Sequence, residues 1–220
     1  MRLTRLAALL SAALVATTIA TAADAAPAHH AAATKRIVVR PVTSSGHVAS
    51  GFTRKIEDQP LDCTFNHGHG STSTVALDPH IFYCSPDSAY AIACWDAARP
   101  HRVLCFRDAF RNEVVREKGT APAHLKAPTH PYNALNLRLG NGEKCFARSG
   151  GAVGVQKHHP NWFATYFCGQ GAAAVWAPPR FADSEGTNRT HARWTVWVGT
   201  AGGRLHKRSV AEAFFVGTAR

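Results

Sequence analysis

A chain of 220 residues with a formal charge of +11 and six cysteines is long enough for one sizeable core, or for two small packed halves, without obligatory staples. No apolar stretch beyond the first residues is long enough for a membrane-spanning helix, which excludes a helical membrane protein. The Lys and Arg residues form no long block, so the positive charge reads as spread over a surface rather than gathered in a tail.

Arg2 and Arg5 precede an apolar run from Leu6 to Ala16 and then a stretch of small residues, the three parts of a secretory signal peptide. The run is short and interrupted by Thr17 and Thr18, so it reads as an address rather than an anchor. Ala-x-Ala-like patterns suit cleavage after Ala22, Ala25 or Ala28, and none of these sites precedes a cysteine, which argues against a lipoprotein. With residues 1–28 taken as the signal, Arg2, Arg5 and Asp24 are lost and the mature chain keeps a charge of +10. It is expected to be soluble and secreted, or held in the cell envelope. An even cysteine count in that compartment favours disulfides, and no Cys-X-X-Cys pair is present to suggest redox or zinc-ribbon chemistry.

Residues 29–47 read as a disordered leader with a lead-in strand, Arg36 to Val42. Residues 48–118 form an N-terminal β half, and residues 119–133, with Gly119, Pro122, Pro128 and Pro131, a linker or long loop. Residues 134–220 form a C-terminal β half. In the first half, Ala89 to Trp95 and Arg102 to Arg107 flank a turn near Arg99-Pro100, a hairpin signal. In the second, Leu135 to Leu139 alternates apolar and polar residues before a Gly140-Asn141-Gly142 turn, and Lys144 to Arg148 returns. Further strands are expected at Trp162 to Cys168, Ala172 to Ala177, Ala192 to Thr200 and Ala213 to Thr218. The run Trp194 to Val198 places its two tryptophans on opposite faces, which predicts burial on both sides. Two stretches have helical features instead: Asp108 to Lys118, with Phe110 and Val114 at helical spacing, and the capping-box pair Ser209 and Glu212.

The expected fold is therefore all-β or β-dominated, with disulfide-stapled antiparallel sheets in a sandwich or barrel-like arrangement, in one body or two packed halves. Cys94 and Cys105 lie symmetrically about the Arg99-Pro100 turn, and directly opposed residues of antiparallel strands fall within disulfide reach. That bridge is the best supported. Cys145 with Cys168 and Cys63 with Cys84 are the expected remaining pairs, although six cysteines admit many other connectivities.

Tyr83-Cys84-Ser85-Pro86-Asp87, followed by Ala91 to Cys94 and Val103 to Cys105, resembles exported actinobacterial proteins of the mycobacterial and nocardial type, whose function is unknown. In these a Ser-Pro-Asp element leads into a cysteine-linked hairpin. Gly142 to Cys145, Gly150-Gly151, Tyr166 to Cys168, Val175-Trp176 and Phe215 to Ala219 are similar to their second half. The resemblance covers most of Cys63 to Ala219 and implies a compartment and a fold. It supplies no catalytic residue.

For chemistry, His67-Gly68-His69-Gly70 sets two imidazoles on one side of an extended chain, with His80 as a third ligand for zinc or copper. Cleavage after Ala28 would place His29 at the mature N-terminus, a copper-chelating arrangement in other proteins. The pair His158-His159 reads as part of a loop. Nucleophile elbows and His-Glu-X-X-His are absent, so a secreted hydrolase would have to draw paired carboxylates from separate parts of the chain. Trp162, Trp176, Trp194 and Trp197 are expected mainly in the core, with any exposed face suited to sugar stacking or a protein contact. The balance favours a non-enzymatic binding or structural module with no cofactor, facing anionic envelope lipid or polymer. A metal-binding protein and a hydrolase are the alternatives. Export argues against nucleic acid as a partner.

Overall fold

Among the described residues, alternation of apolar and polar residues, with β-branched and aromatic side chains at the inward positions, produces thirteen strands and almost no helix. The computed structural model describes residues 32–64, 69–126, 133–148, 155–169 and 171–220, all within one compact unit, Ala31–Arg220. In chain order the strands are β1 (Lys35–Thr43), β2 (Thr53–Pro60), β3 (His69–Ser71), β4 (Ala93–Asp96), β5 (Arg102–Phe106), β6 (Glu113–Lys118) and β7 (His124–Lys126). They continue as β8 (Asn136–Leu139), β9 (Lys144–Ala147), β10 (Phe163–Cys168), β11 (Ala173–Ala177), β12 (Thr195–Gly199) and β13 (His206–Ala219). Short 3-10 turns occupy Asp87–Ala89 and Pro179–Ser184. Among the described residues no helix is long and apolar enough to cross a membrane.

Strands β8 to β13 run antiparallel in sequence order, and β13 closes back onto β8 to make a six-stranded barrel. The Gly140-Asn141-Gly142 turn joins β8 to β9, with Gly142 at φ +84° and its N–H donating to Leu139 O over 2.9 Å. Leu137, Leu139, Tyr166, Val175, Val196 and Phe215 fill the barrel, each nearly or fully excluded from water. Tyr166 brings a polar group into that interior and satisfies it by donating from its hydroxyl to Ala134 O at 2.7 Å.

The remaining sheets do not follow a purely antiparallel plan. Strands β4, β5, β6 and β2 form a four-stranded sheet in which β2 pairs with β6 in parallel, β3 pairs with β7 in parallel, and β1 lies parallel to β13. Parallel partners cannot be joined by a tight turn, so each of these pairings connects distant parts of the chain. One core cluster, with Val42, Ile81, Trp95, Phe106, Leu135 and Val216 among its members, contains residues from both sides of the 119–133 stretch. Within that stretch His124–Lys126 is a strand; residues 127–132 lie outside the described residues.

Both helical expectations are corrected. The stretch Asp108 to Lys118 contains β6, because Val114 and Val115 pair with Phe106 and Cys105 across the sheet, a better use of β-branched side chains than a helix surface. Ser209 and Glu212 cap nothing. They lie within β13, where Ser209 Oγ accepts from Arg193 at 3.0 Å and the Glu212 carboxylate accepts from Arg138 at 2.7 Å. Burial of β12 on both faces is corrected as well: Val196 and Val198 point into the barrel, whereas Trp197 on the outer face is half-exposed.

At the β2–β6 side of the four-stranded sheet, Arg107 bridges Glu57 of β2 and the fully buried Glu117 of β6, at 2.9 and 2.5 Å. Hydrogen bonds from Lys55 and Arg107 draw the Glu57 carboxyl from 4.5 to about 2. A depressed folded-state value stabilises the fold above the unfolded value and ceases to do so as pH falls through the folded one. Replacing Glu57 by Gln should thus lower the urea midpoint at pH 6, and the gap from the native protein should close between pH 4.5 and about 2. A gap that stays constant over that window would assign the loss to packing rather than charge.

Candidate functional site

The loop of residues 155–162 and the turn of residues 200–205 are locked together outside β11 and β12. Buried Gln156 does the locking: its Nε2 donates to Gly203 O at 2.7 Å, and its Oε1 accepts from His158 N at 2.7 Å. Lys157 N also donates to Ala201 O at 2.8 Å. Beneath this cover lies a small core of Ala164, Ala174 and Trp176, against which Trp162 and Leu205 pack. Trp176 is 1% exposed and spends its indole N–H on Gly199 O at 2.8 Å, so it is a core residue rather than a stacking platform.

What faces water there is aromatic and cationic. The Trp162 and Trp197 rings meet edge to face at 6.1 Å between centroids, and His159 stacks on Trp162 at 4.4 Å. The register sets Trp197 opposite Lys207, so the two side chains share one face of the sheet. Lys157, Arg204 and Lys207 are exposed beside these rings and make no ion pair among the described residues. The imbalance extends over the whole C-terminal part: residues 134–220 carry eleven Lys and Arg against four Asp and Glu, whereas residues 29–133 carry twelve against nine. In the earlier part Arg102, Arg107, Arg111 and Arg116 are matched by carboxylates. The excess positive charge is therefore concentrated on the barrel.

A polar cluster at the barrel wall is sequestered instead. Burial pushes the Glu185 carboxyl up and the Arg189 guanidinium down, and Arg189 donates to Asn133 Oδ1 at 3.2 Å while lying 4.7 Å over the Trp194 ring. Elsewhere Asp78 and Asp96 share a cavity of about 340 Å³ with His80 and Trp95. There Asp78 Oδ2 accepts from Thr218 N at 2.5 Å, and Trp95 donates its indole N–H to Thr218 Oγ1 at 3.1 Å.

The histidines singled out as metal ligands occupy the following places. His67 lies outside the described residues, His80 is on the rim of the Asp78 cavity, and His69 is in β3, where its register partner is His124. A histidine more than fifty positions away thus stands beside His69 in the sheet, which no local spacing could reveal. The six cysteines form three bridges, Cys63–Cys84, Cys94–Cys105 and Cys145–Cys168, and the last two each join directly opposed strand residues. The sulfurs of Cys84, Cys94 and Cys105 lie within 4.8 Å of one another, but all three are in disulfides and offer no thiolate to a metal. Trp162, Trp197 and their cations were legible one by one as aromatic and basic residues; their convergence depends on the Gln156 lock and the β12–β13 register.

Compared with known proteins, the chain matches no family model, no curated protein and no solved structure.

Proposed function

We propose that this protein is exported and acts as a non-enzymatic binding module, holding an anionic glycan polymer of the cell envelope on the barrel face that carries Trp162, Trp197 and Lys207. The signal-peptide pattern at the N-terminus and three disulfides support the compartment. One observation carries the activity: two half-buried indoles lie beside Lys157, Arg204 and Lys207, none of which makes an ion pair among the described residues. Indole faces and edges fit the apolar faces of sugar rings, and unpaired cations nearby select a polymer bearing carboxylate or phosphate. A glycan suits the site better than a lipid surface because the rings are locked in a shallow, rigid cover rather than displayed at a loop tip.

Retention on immobilised polyuronate, with neutral dextran and anionic phospholipid vesicles as comparisons, tests the reading. Strong retention on polyuronate alone, falling as salt is raised from 50 to 500 mM (about a threefold shortening of the Debye length), is expected. Replacing Arg204 and Lys207 by Glu should weaken retention about tenfold, the equivalent of ~1.4 kcal/mol. Equal retention on dextran, or capture by vesicles without capture by polyuronate, would refute it.

A further inference from the structure

A second cationic feature lies in the four-stranded sheet, away from the barrel face. The β1–β2 connection and the β4–β5 turn close over one end of that sheet, held by Ala98 N donating to Gly46 O at 3.0 Å. Gly46 has φ +73°, and a Cβ there would meet Ala98 N at 2.6 Å, so this close approach requires glycine. Under the contact is a cavity of about 220 Å³ with buried Leu104 in its lining and His47, Arg54, Arg99 and Arg116 around it.

The charge around this space is one-sided. Arg116 is held by Asp58, with N–O distances of 3.1 to 3.3 Å, which fixes its guanidinium and offsets its charge. Arg54 and Arg99 have no hydrogen bond, ion pair or ring contact among the described residues, and no carboxylate lines the cavity. Across the same pair of loops, the cavity lined by Thr43, Ser44, Trp95 and Asp96 has two aspartates and no Lys or Arg. The cavities at Asp62, Asp108 and Glu57 mix both signs. Guanidiniums that line one cavity repel one another, and an anion placed among them reduces that cost while accepting their planar, two-pronged hydrogen bonds.

We propose that this cavity binds the phosphoryl group of a phosphomonoester. Two guanidiniums without counter-charge match a group carrying about −1.5 to −2 at neutral pH, whereas a carboxylate would balance only one of them. The volume also exceeds that of a phosphate ion, leaving space for the first atoms of an ester substituent. The site is separate from the glycan-binding face and does not depend on it.

Calorimetric titration of the full protein with glycerol 3-phosphate, inorganic phosphate and acetate, in 150 mM sodium chloride, tests the assignment. Saturable binding of both phosphates, at least tenfold tighter than acetate, is expected, with glycerol 3-phosphate the tighter. Replacing Arg54 and Arg99 by Gln should reduce phosphate affinity at least tenfold while leaving the urea midpoint unchanged, since both side chains are exposed. If that pair alters the midpoint, Arg99→Gln alone, on the turn, should still reduce affinity severalfold in a protein of native stability. The R204E/K207E variant should bind phosphate as the native protein does. No saturable phosphate binding, acetate binding of equal strength, or native affinity in the Arg54 and Arg99 variants would overturn the proposal. Loss of polyuronate retention with phosphate binding intact would count only against the glycan reading.

Discussion

Replacing Arg107 by Met should destabilise the protein by about 3–5 kcal/mol, the range found when one partner of a buried ion pair is removed. Glu117 is fully buried: one carboxylate oxygen accepts from Arg107 Nη2 at 2.5 Å and the other from Gln59 N at 2.7 Å. Burial already pushes its carboxyl up, opposed by the Gln59 hydrogen bond and the Arg107 charge. Without Arg107 the carboxylate must either remain charged and uncompensated or take up a proton at neutral pH. A carboxyl raised in the folded state binds more protons there than in the unfolded chain, so the stability of the variant should fall as pH rises above 4.5. The native protein should show a smaller fall in this window, because the Arg107 charge holds the Glu117 carboxyl down and the Glu57 contribution is already complete above 4.5. Urea denaturation across pH 4 to 7 separates the two trends. The double replacement of Arg107 by Met and Glu117 by Leu should recover most of the loss, since an apolar pair of similar size removes both the charge and its burial cost. A single variant within about 1 kcal/mol of native at pH 7, the usual scale of an exposed pair, would show that water reaches Glu117.

The second large effect is expected at Cys145–Cys168. Replacing both cysteines by Ala should cost about 3 kcal/mol, because the bridge closes a loop of 23 residues and limits the unfolded chain. Loop-closure entropy grows only logarithmically, so Cys94–Cys105, with a separation of 11, should contribute only about 0.5 kcal/mol less. Location distinguishes the bridges more sharply than length does. Cys145 and Cys168 lie in the barrel core, whereas Cys84, Cys94 and Cys105 share a second cluster with their sulfurs close together. Losses at Cys145–Cys168 and Cys94–Cys105 should therefore add, and losses at Cys94–Cys105 and Cys63–Cys84 should not. Equilibrium unfolding of the single-bridge and double-bridge variants without reductant measures each term. A loss below about 1 kcal/mol for Cys145–Cys168 would mean that the unfolded chain stays compact around β9 and β10 without it.

Local signals located the hairpins well. The Leu137 and Leu139 alternation, the Gly140-Asn141-Gly142 turn and the symmetry of Cys94 and Cys105 about their turn each lie within a dozen residues and depend on nearest partners. Strand β2 left no such trace: Thr53–Pro60 is largely exposed, lies at a sheet edge and pairs in parallel with residues some sixty positions later. The helical features of Asp108 to Lys118 were real in spacing but outweighed by the pairing of Val114 and Val115 with β5. In the same way His67, His69 and His80 stood out because they are close in sequence. His47, Arg54, Arg99 and Arg116, scattered over seventy positions, carried no joint signal before the β1–β2 and β4–β5 loops met.

By itself, the sequence determined the strand character of most segments, the cross-strand place of Cys94 and Cys105, and the chain's excess of positive charge. Side-chain alternation, turn residues and charge are properties of short windows, so they survive without a partner in view. The closure of β13 onto β8, the parallel docking of β1 and the uneven placement of charge were decided only in three dimensions. The strand β13 meets β12, β8 and β1 along its fourteen residues, and each of those pairings is chosen by which apolar faces can be buried together rather than by anything in β13 alone. For the same reason the cations became sites only after folding. Whether a guanidinium is neutralised depends on which distant carboxylate the sheet brings beside it: Asp58 is brought to Arg116, and among the described residues none is brought to Arg54 or Arg99.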